Sequence, residues 1–128
     1  MILLLDTSTP ECRVILTHEG EQHEYTWQAD RELAKGLLRF IVDTLTAHNM
    51  TITELSGMGV LRGPGSFTGL RIGITTLNTI ADSKDIPIVG AIGDDWQAVA
   101  LDKLAAGEND RIVLPEYGRE ARITTPRK

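Results

Sequence analysis

The sequence has little cysteine, few aromatic side chains and no long hydrophobic run. Cys12 is the single cysteine, so no disulfide forms within the chain, and we expect it to be a small buried hydrophobic residue of a strand. Every apolar run is shorter than the roughly 20 residues that a bilayer-spanning helix needs. The run at residues 2–5 follows no basic segment and ends at Asp6, unlike a signal peptide. We therefore expect a cytoplasmic protein without a membrane span.

Recognisable catalytic and metal-binding motifs are also missing. The histidines, His18, His23 and His48, are far apart in the sequence, and none has a histidine partner at the i, i+4 spacing of a metal site. The residues around Ser66 lack the Gly-x-Ser-x-Gly spacing of a nucleophile elbow. No Gly-Lys-Ser/Thr follows, as a P-loop would require. The sequence therefore predicts no metal site and no serine-hydrolase or P-loop chemistry.

Charge is distributed unevenly over a chain whose 128 residues suffice for one domain and its core. The formal net charge of −5 gives no general attraction to nucleic acid. The segment 115–128 is basic instead, and its positive side chains are Arg119, Arg122, Arg127 and Lys128. Such a segment is usually a solvated tail, and contact with RNA or with an acidic partner is the alternative.

Hydrophobic patterning predicts an α/β protein. The predicted strands are 2–5, 12–17, 23–27, 57–61 and 86–90, with a further short strand at 112–114. The predicted helices are 31–48, 68–82 and a third that begins after Asp94 or Asp95 and ends at Gly107. The predicted N-terminal caps are Asp30 for the first helix and Ser66 or Thr68 for the second. A short capped turn is predicted to begin at Thr53. The order βββαβαβα is that of the ribonuclease-H-like core of actin-like ATPases and sugar kinases, so we expect a single lobe with a mixed sheet and flanking helices.

The turn after the first strand is where an actin-like ATPase binds phosphate. Asp6, Thr7, Ser8 and Thr9 supply a carboxylate and three hydroxyls there, but the turn has no glycine and Pro10 removes an amide. One interpretation is an actin-like ATPase or small-molecule kinase with a degenerate phosphate loop. The other is a polar turn whose hydroxyls bond to their own backbone.

A glycine-rich loop follows the fourth strand and reads Arg62-Gly63-Pro64-Gly65-Ser66-Phe67-Thr68-Gly69. Its glycines permit backbone conformations that a side chain forbids, and the proline stiffens the turn, so we expect a rigid corner between a strand and a helix. Gly69 and Gly73 lie one helical turn apart, and Gly36 interrupts the first helix. Small residues at this spacing predict either the close approach of a partner helix or tight packing within the domain.

The run from Arg62 to Gly73 resembles the signature of the bacterial TsaB (YeaZ) family, and residues 4–9 and 86–90 match the family in the same order. The resemblance extends over roughly residues 1–105. It implies an actin-like domain at 1–107 and a short tail at 108–128 that is the remnant of a second lobe. Within that tail, residues 115–121 loosely resemble the extreme end of longer members.

This resemblance implies a non-catalytic accessory subunit in the synthesis of threonylcarbamoyladenosine in tRNA. The implied partner is a TsaD-type subunit in a heterodimer, joined by a TsaE-type ATPase, with tRNA contacted only through the complex. The chain alone would bind no cofactor tightly, and the partner interface is where ATP or ADP could bind. In isolation we expect a homodimer, because exposed apolar helix faces tend to pair. Such proteins were once grouped with metallopeptidases. The sequence gives no support for that activity in this chain, since it has no cluster of metal-ligating residues.

The resemblance also places the partner interface on the first two helices. Carried onto this chain, the interface residues are Leu33, Gly36, Leu37, Phe40, Ile41, Gly69, Leu70, Gly73 and Leu77. The His-Ser-Glu-like start of the first helix in the family is replaced by Leu33-Ala34-Lys35. The polar contacts of that motif are therefore not expected in this chain.

Overall fold

A computed structural model describes residues 1–116. The strands are β1 (Ile2–Asp6), β2 (Glu11–His18), β3 (Glu21–Gln28), β4 (Gly57–Gly63) and β5 (Ile88–Ile92), and the helices are α1 (Leu33–Thr46), α2 (Phe67–Lys84) and α3 (Trp96–Ala105). Short 3-10 turns precede α1 at Asp30–Glu32 and β4 at Ile52–Glu54. The order of strands and helices confirms the predicted βββαβαβα pattern.

The five strands form one mixed sheet in the order β3-β2-β1-β4-β5. β1, β2 and β3 are an antiparallel meander. Glu19 and Gly20 form the hairpin turn between β2 and β3, with positive φ angles of 51° and 84°. β4 pairs with β1 and β5 pairs with β4, both in parallel. The carboxyl ends of β1, β4 and β5 therefore meet at one end of the sheet, which is where ligands bind in open α/β sheets.

The core has two layers, one on each face of the sheet. Leu3 and Leu5 of the central strand lie in the larger cluster under α1 and α2, whereas Leu4 lies in the smaller cluster under α3. All three side chains are fully buried, as their continuous apolar run predicts for a strand covered on both faces. No helix within residues 1–116 is long and apolar enough to cross a membrane.

The first helix differs from prediction at its start. Residues 30–32 form a 3-10 turn, and Asp30 has a φ of 47°. Its carboxylate accepts a hydrogen bond from the Gln28 side-chain amide at 2.8 Å instead of capping the helix. The predicted cap at Asp30 is therefore wrong. The predicted end of this helix at residue 48 is close to the observed one, since α1 ends at Thr46 and Asn49 is left-handed with a φ of 57°.

The short turn before β4 is capped by Thr51 and not by Thr53 as predicted. Thr51 and Glu54 form a capping box, in which the Thr51 amide donates to the Glu54 carboxylate at 2.8 Å. The third helix has Asp95 at its N-cap position, as one of the two predicted alternatives, but no side-chain hydrogen bond caps it.

The ends of β5 and the segment after α3 also differ from prediction. β5 begins at Ile88 instead of residue 86, because the Ile86 amide donates to the Ala81 carbonyl at the end of α2 and Pro87 has no amide proton. The predicted strand at 112–114 does not form. Both backbone groups of Val113 bond to the Asn78 side chain instead of to a neighbouring strand.

The proposed boundary between a domain at 1–107 and a tail stays a prediction. The stretch up to Glu116 runs back over α2, where Val113 is buried in the larger cluster. Most of the predicted basic tail, including its four positive side chains, lies outside the described residues.

Candidate functional site

The glycine-rich loop forms the corner between β4 and α2. Ser66 is the N-cap of α2, and its hydroxyl accepts a hydrogen bond from the Gly69 amide at 3.2 Å. The Ser66 amide itself donates to the Ser8 carbonyl at 2.8 Å. Of the two predicted caps, Ser66 is therefore the one used, and it also fixes the corner to the turn after β1. The Gly63-Pro64 peptide bond in this corner is cis.

Thr7, in the turn after β1, lies directly under the first turns of α2. Its side chain is fully buried, and its hydroxyl donates to the Gly69 carbonyl at 2.7 Å. A Cβ atom at Gly69 would collide with the Thr7 carbonyl, and one at Gly73 would collide with the Thr7 side chain. These two glycines therefore serve close packing inside the domain, which was one of the two predicted alternatives.

Gly36 of α1 has a comparable internal role. A Cβ atom there would lie 2.6 Å from the Trp27 ring of β3. The ring also contacts Phe40, with centroids 5.4 Å apart. Gly36 therefore lets α1 approach the indole.

The candidate phosphate turn is occupied by its own hydrogen bonds. The Asp6 carboxylate accepts from the Ser8 amide at 2.8 Å and from the Ser8 hydroxyl at 2.6 Å, and Arg13 lies 3.6 Å away. The Thr9 hydroxyl donates to the Glu11 carbonyl at 3.1 Å. This arrangement favours the polar-turn interpretation, since the groups that a phosphate would use already have partners.

A polar cavity of about 360 Å³ nevertheless lies beside this turn, at the carboxyl ends of the parallel strands. Its lining includes Asp6, Arg13, Gly63, Gly93 and Asp94. Among residues 1–116, no group of three or more histidine, cysteine or acidic side chains is placed to hold a metal ion.

Most of the predicted interface residues lie in the core. The buried members are Leu33, Leu37, Ile41, Gly69, Leu70, Gly73 and Leu77, and the half-buried members are Gly36 and Phe40. The buried members face the core, so Gly36 and Phe40 are the predicted interface residues that remain partly exposed. That these residues contact a partner stays a prediction.

The outer face of α1 and α2, which we call the helix face, is formed by Ala34, Leu38, Val42, Phe67, Arg71 and Thr75. Leu38 is 52% exposed and Phe67 is 54% exposed, with the Arg71 guanidinium 5.6 Å from the Phe67 ring centre. A shallow groove of about 390 Å³ runs along α2 past Phe67, Arg71 and Thr75, and Ala34 is the residue of α1 that lines it.

A signal for the helix face was present in the sequence. The stripe of α1 at Leu33, Leu37, Ile41 and Leu45 suffices to cover the sheet, and all four side chains are buried. Leu38 and Val42 each lie one position beyond that stripe, which makes the apolar surface wider than one buried face requires. The excess indicates a second contact surface.

Taken together, the strand order, the helices on both faces and the site at the carboxyl ends of the parallel strands define an α/β protein of the ribonuclease-H-like, actin-like ATPase class. Comparison with known proteins agrees with this class. The family model described as "TsaD: tRNA N6-adenosine threonylcarbamoyltransferase" matches residues 27–101, which is more than half of the chain.

Similar sequences and solved structures identify the family within this class. The chain is 35% identical to the tRNA threonylcarbamoyladenosine biosynthesis protein TsaB of Escherichia coli, over 70% of this chain and 38% of that protein. It is 32% identical to TsaB of Haemophilus influenzae, over 84% of this chain and 46% of the relative. YeaZ from Pseudomonas aeruginosa superposes with a TM-score of 0.66 at 33% identity, covering 71% of this chain and 43% of YeaZ. The chain therefore belongs to the TsaB (YeaZ) family, and it spans less than half the length of these relatives.

Proposed function

We propose that this chain acts in tRNA threonylcarbamoyladenosine biosynthesis as a non-catalytic subunit that binds a TsaD-type subunit through the helix face. Membership of the TsaB family and the names of its relatives support the pathway. The observation that carries the binding role is the exposed apolar surface of Leu38, Val42 and Phe67. In the proposal, a TsaE-type ATPase joins the pair, tRNA is contacted only through the complex, and ATP or ADP binds at the partner interface.

The state of the phosphate turn supports an accessory role. The Asp6 carboxylate is held by Ser8 and Arg13, and the Thr7 hydroxyl is buried against Gly69. A carboxylate and a hydroxyl in these bonds are poorly placed to hold a metal-nucleotide. Chemistry in the complex is accordingly assigned to the partner subunit.

The binding role is tested by measuring affinity for a TsaD protein by titration calorimetry. Leu38→Asp places a charge in the centre of the helix face and is expected to weaken binding at least about tenfold, which is roughly 1.4 kcal/mol. Val99→Asp is the matched control, because Val99 is also a partly exposed apolar residue but lies on α3, on the other face of the sheet. Equal affinities for both variants, or no complex with the unchanged chain at micromolar concentration, would contradict the proposal.

The same face accounts for the homodimer that we expect in isolation. An exposed apolar surface that lacks its partner is covered when two copies pair. Light scattering of the unchanged chain should give the mass of a dimer, which Leu38→Asp and an excess of TsaD should each reduce. A strictly monomeric chain would contradict self-pairing while leaving heterodimer formation to the calorimetric test.

An actin-like ATPase or kinase is the second candidate function. The cavity beside Asp6 favours it, because it lies where nucleotides bind in folds of this class. ATP hydrolysis that is lost in Asp6→Ala would support this candidate, and calorimetry that detects no nucleotide binding would remove it.

A further inference from the structure

A row of basic side chains follows the exposed side of α1. Residues four positions apart are neighbours on a helix surface, so side chains at this spacing lie in one row. Arg31 belongs to the turn that leads into α1, and Lys35 and Arg39 follow it at intervals of four. All three are exposed, and we call them the basic stripe. Like charges at this spacing slightly destabilise a helix, so folding alone does not explain the row.

The apolar part of the helix face on α1 lies directly beside the basic stripe. Its residues are Ala34, Leu38 and Val42, and each lies three positions after a member of the stripe. Residues three positions apart are also neighbours on a helix surface, so the two rows are adjacent. A partner that covers the apolar row therefore also meets the basic stripe.

The acidic residues near the stripe lie on its other side. Gly36 marks the side of α1 that packs against β3, through its close approach to Trp27. Glu32 and Asp43 are four and seven positions from Gly36, so they share that side of the helix. Asp43 contacts Arg39 at 3.3 Å, but both side chains are more than half exposed, and exposed pairs of this kind are weak. These acids therefore leave the charge beside the apolar row largely uncancelled.

The helix face is also basic on α2. The Arg71 guanidinium lies 5.6 Å from the centre of the Phe67 ring. Asp82 is the acidic residue of α2, and it lies eleven positions after Arg71, which is about 16 Å along the helix axis. The exposed apolar side chains of the helix face are thus flanked by cations on both helices.

The rest of the molecule has the opposite charge. The overall net charge is −5, and residues 117–128 contribute +3 with four basic side chains and one acidic side chain, so residues 1–116 carry −8. Nine basic side chains belong to residues 1–116, and four of them lie on or beside the helix face. Positive charge is therefore concentrated around one apolar surface of an acidic domain.

We propose that the helix face selects a partner whose contact surface is apolar at its centre and acidic at its edges, and that the basic stripe disfavours pairing with a second copy of this chain. The inference rests on the proposed binding of a TsaD-type subunit through this face, and it specifies the chemistry of that subunit's surface. Carboxylates opposite Lys35 and Arg71 are attracted to them, whereas two copies of the face bring like charges together.

A protein surface fits this arrangement better than a nucleic acid does. A phosphate backbone would satisfy the cations but would leave the apolar side chains of Leu38, Val42 and Phe67 in water. The net charge of −8 on residues 1–116 also opposes the long-range attraction on which nucleic-acid binding depends.

Reversal of one charge in the stripe tests this selection. In Lys35→Glu, the affinity for a TsaD protein, measured by titration calorimetry in dilute salt, should fall about fivefold, because an attraction becomes a repulsion. Self-association of the same variant, measured by analytical ultracentrifugation, should become stronger, because the repulsion between two copies of the face is reduced. Both effects should shrink in about 0.5 M NaCl, where the Debye length is only about 4 Å.

Arg111→Glu is the matched control. Arg111 is exposed and follows Asp110, which bonds to β5 through its backbone and its side chain, so it lies away from the helix face. The variant has the same net charge as Lys35→Glu, and any general repulsion between acidic molecules is therefore the same in both. Its affinity for TsaD and its self-association should each stay within about twofold of those of the unchanged chain.

The possible results separate this inference from the proposed function. Equal affinities of the two variants for TsaD, with the unchanged chain still bound, would overturn the inference and leave the binding role intact. Equal self-association of the two variants would overturn the selection against a second copy. Absence of any complex with the unchanged chain would contradict the proposed function and the inference together. If Lys35→Glu bound TsaD normally but lost affinity for tRNA, the stripe would be an RNA contact and the inference would be wrong.

Discussion

Thr7 is the residue that most constrains the glycine-rich corner. A buried hydroxyl needs a hydrogen-bond partner, and that of Thr7 finds the Gly69 carbonyl in the first turn of α2. The helix can come this close only because positions 69 and 73 have no side chain. A single threonine in the turn after β1 thus explains two glycines some sixty positions later in the sequence.

This contact makes Gly73→Ala destabilising. In an exposed helix the change would stabilise by about 1 kcal/mol through helix propensity. Here the new methyl group meets the Thr7 hydroxyl, so we expect a net loss of about 1–3 kcal/mol in the free energy of unfolding, measured with urea. The loss should shrink in a Thr7→Ala background, where the colliding oxygen is absent. A stabilising Gly73→Ala would contradict the packing account.

Cys12 makes the stability of the fold sensitive to alkaline pH. Burial of the thiol, with a smaller effect of the nearby Asp6 carboxylate, raises the pKa of Cys12 to about 12. The unfolded chain loses this proton at about pH 8.5, whereas the folded chain keeps it. The contribution of Cys12 to the free energy of unfolding is therefore fully present below about pH 8.5, and it is lost as the pH rises towards the pKa of the folded state.

Above about pH 8.5, the free energy of unfolding is expected to fall by up to about 1.4 kcal/mol per pH unit. Urea unfolding of the unchanged chain and of Cys12→Ala at pH 8 and pH 10 measures it, because other titrating groups are common to both proteins. The difference in the free energy of unfolding between the two proteins should be smaller at pH 10 than at pH 8. Parallel pH dependences would show that Cys12 is accessible to solvent in the folded state.

At the scale of elements, α1 and α2 each have one side in the core and a second side, also partly apolar, at the surface. Leu37 and Leu38 illustrate this for α1, since the first is buried and the second is half in solvent. The helices therefore stabilise the fold through one set of residues and expose a different set, through which we propose that they bind a partner. Substitutions at Leu37 should affect folding, whereas those at Leu38 should affect association.

The segment at residues 109–116, which follows α3, is held against α2 by the side chain of Asn78. This amide donates to the Val113 carbonyl and accepts from the Val113 amide, both at 2.9 Å. Asn78→Ala removes both bonds and should cost about 1–3 kcal/mol. Hydrogen exchange of the Val113 amide should become faster in this variant. Thr79→Ala, a neighbouring change on the exposed side of α2, should leave that exchange unaffected, and equal exchange in both variants would contradict a role for Asn78.

At the scale of the whole molecule, the two faces of the sheet are joined by strands that are buried on both sides. Leu3 and Leu5 contact one layer and Leu4 contacts the other, so neither layer can come apart without exposing β1. The two tryptophans report on the layers separately, because Trp27 packs under α1 and Trp96 lies under α3.

We therefore expect the described domain to unfold in a single cooperative step. Fluorescence of Trp27→Phe follows the α3 layer through Trp96, and fluorescence of Trp96→Phe follows the other layer. Each variant should show one urea transition that coincides with its own circular dichroism transition. A fluorescence midpoint clearly different from the circular dichroism midpoint would show that the layers unfold independently.

Element order and type were readable from the sequence because they follow local rules. Three examples are the apolar run of β1, the apolar stripe of α1 and the capping residue of α2. Each of these signals depends only on residues that lie close together in the sequence. The predicted strand at 112–114 failed because a distant residue supplied the partner, since Val113 bonds to Asn78 instead of to a strand. The predicted cap at Asp30 failed locally, because its carboxylate bonds to Gln28 two positions earlier. The other predicted strands and helices formed, with shifted boundaries.

The sequence by itself determined the fold class, the absence of an internal disulfide and a corner capped by Ser66 or Thr68, since composition, periodicity and short motifs carry that information. Only the tertiary structure decided between these two caps. It also decided the roles of the glycines, the orientation of the helix residues and the course of residues 109–116. Gly69 and Gly73 face Thr7 and not a second protein, and Leu38 rather than Leu37 is exposed. The physical reason is that spacing along a helix shows which residues share a face, whereas only packing against the sheet determines which face is buried.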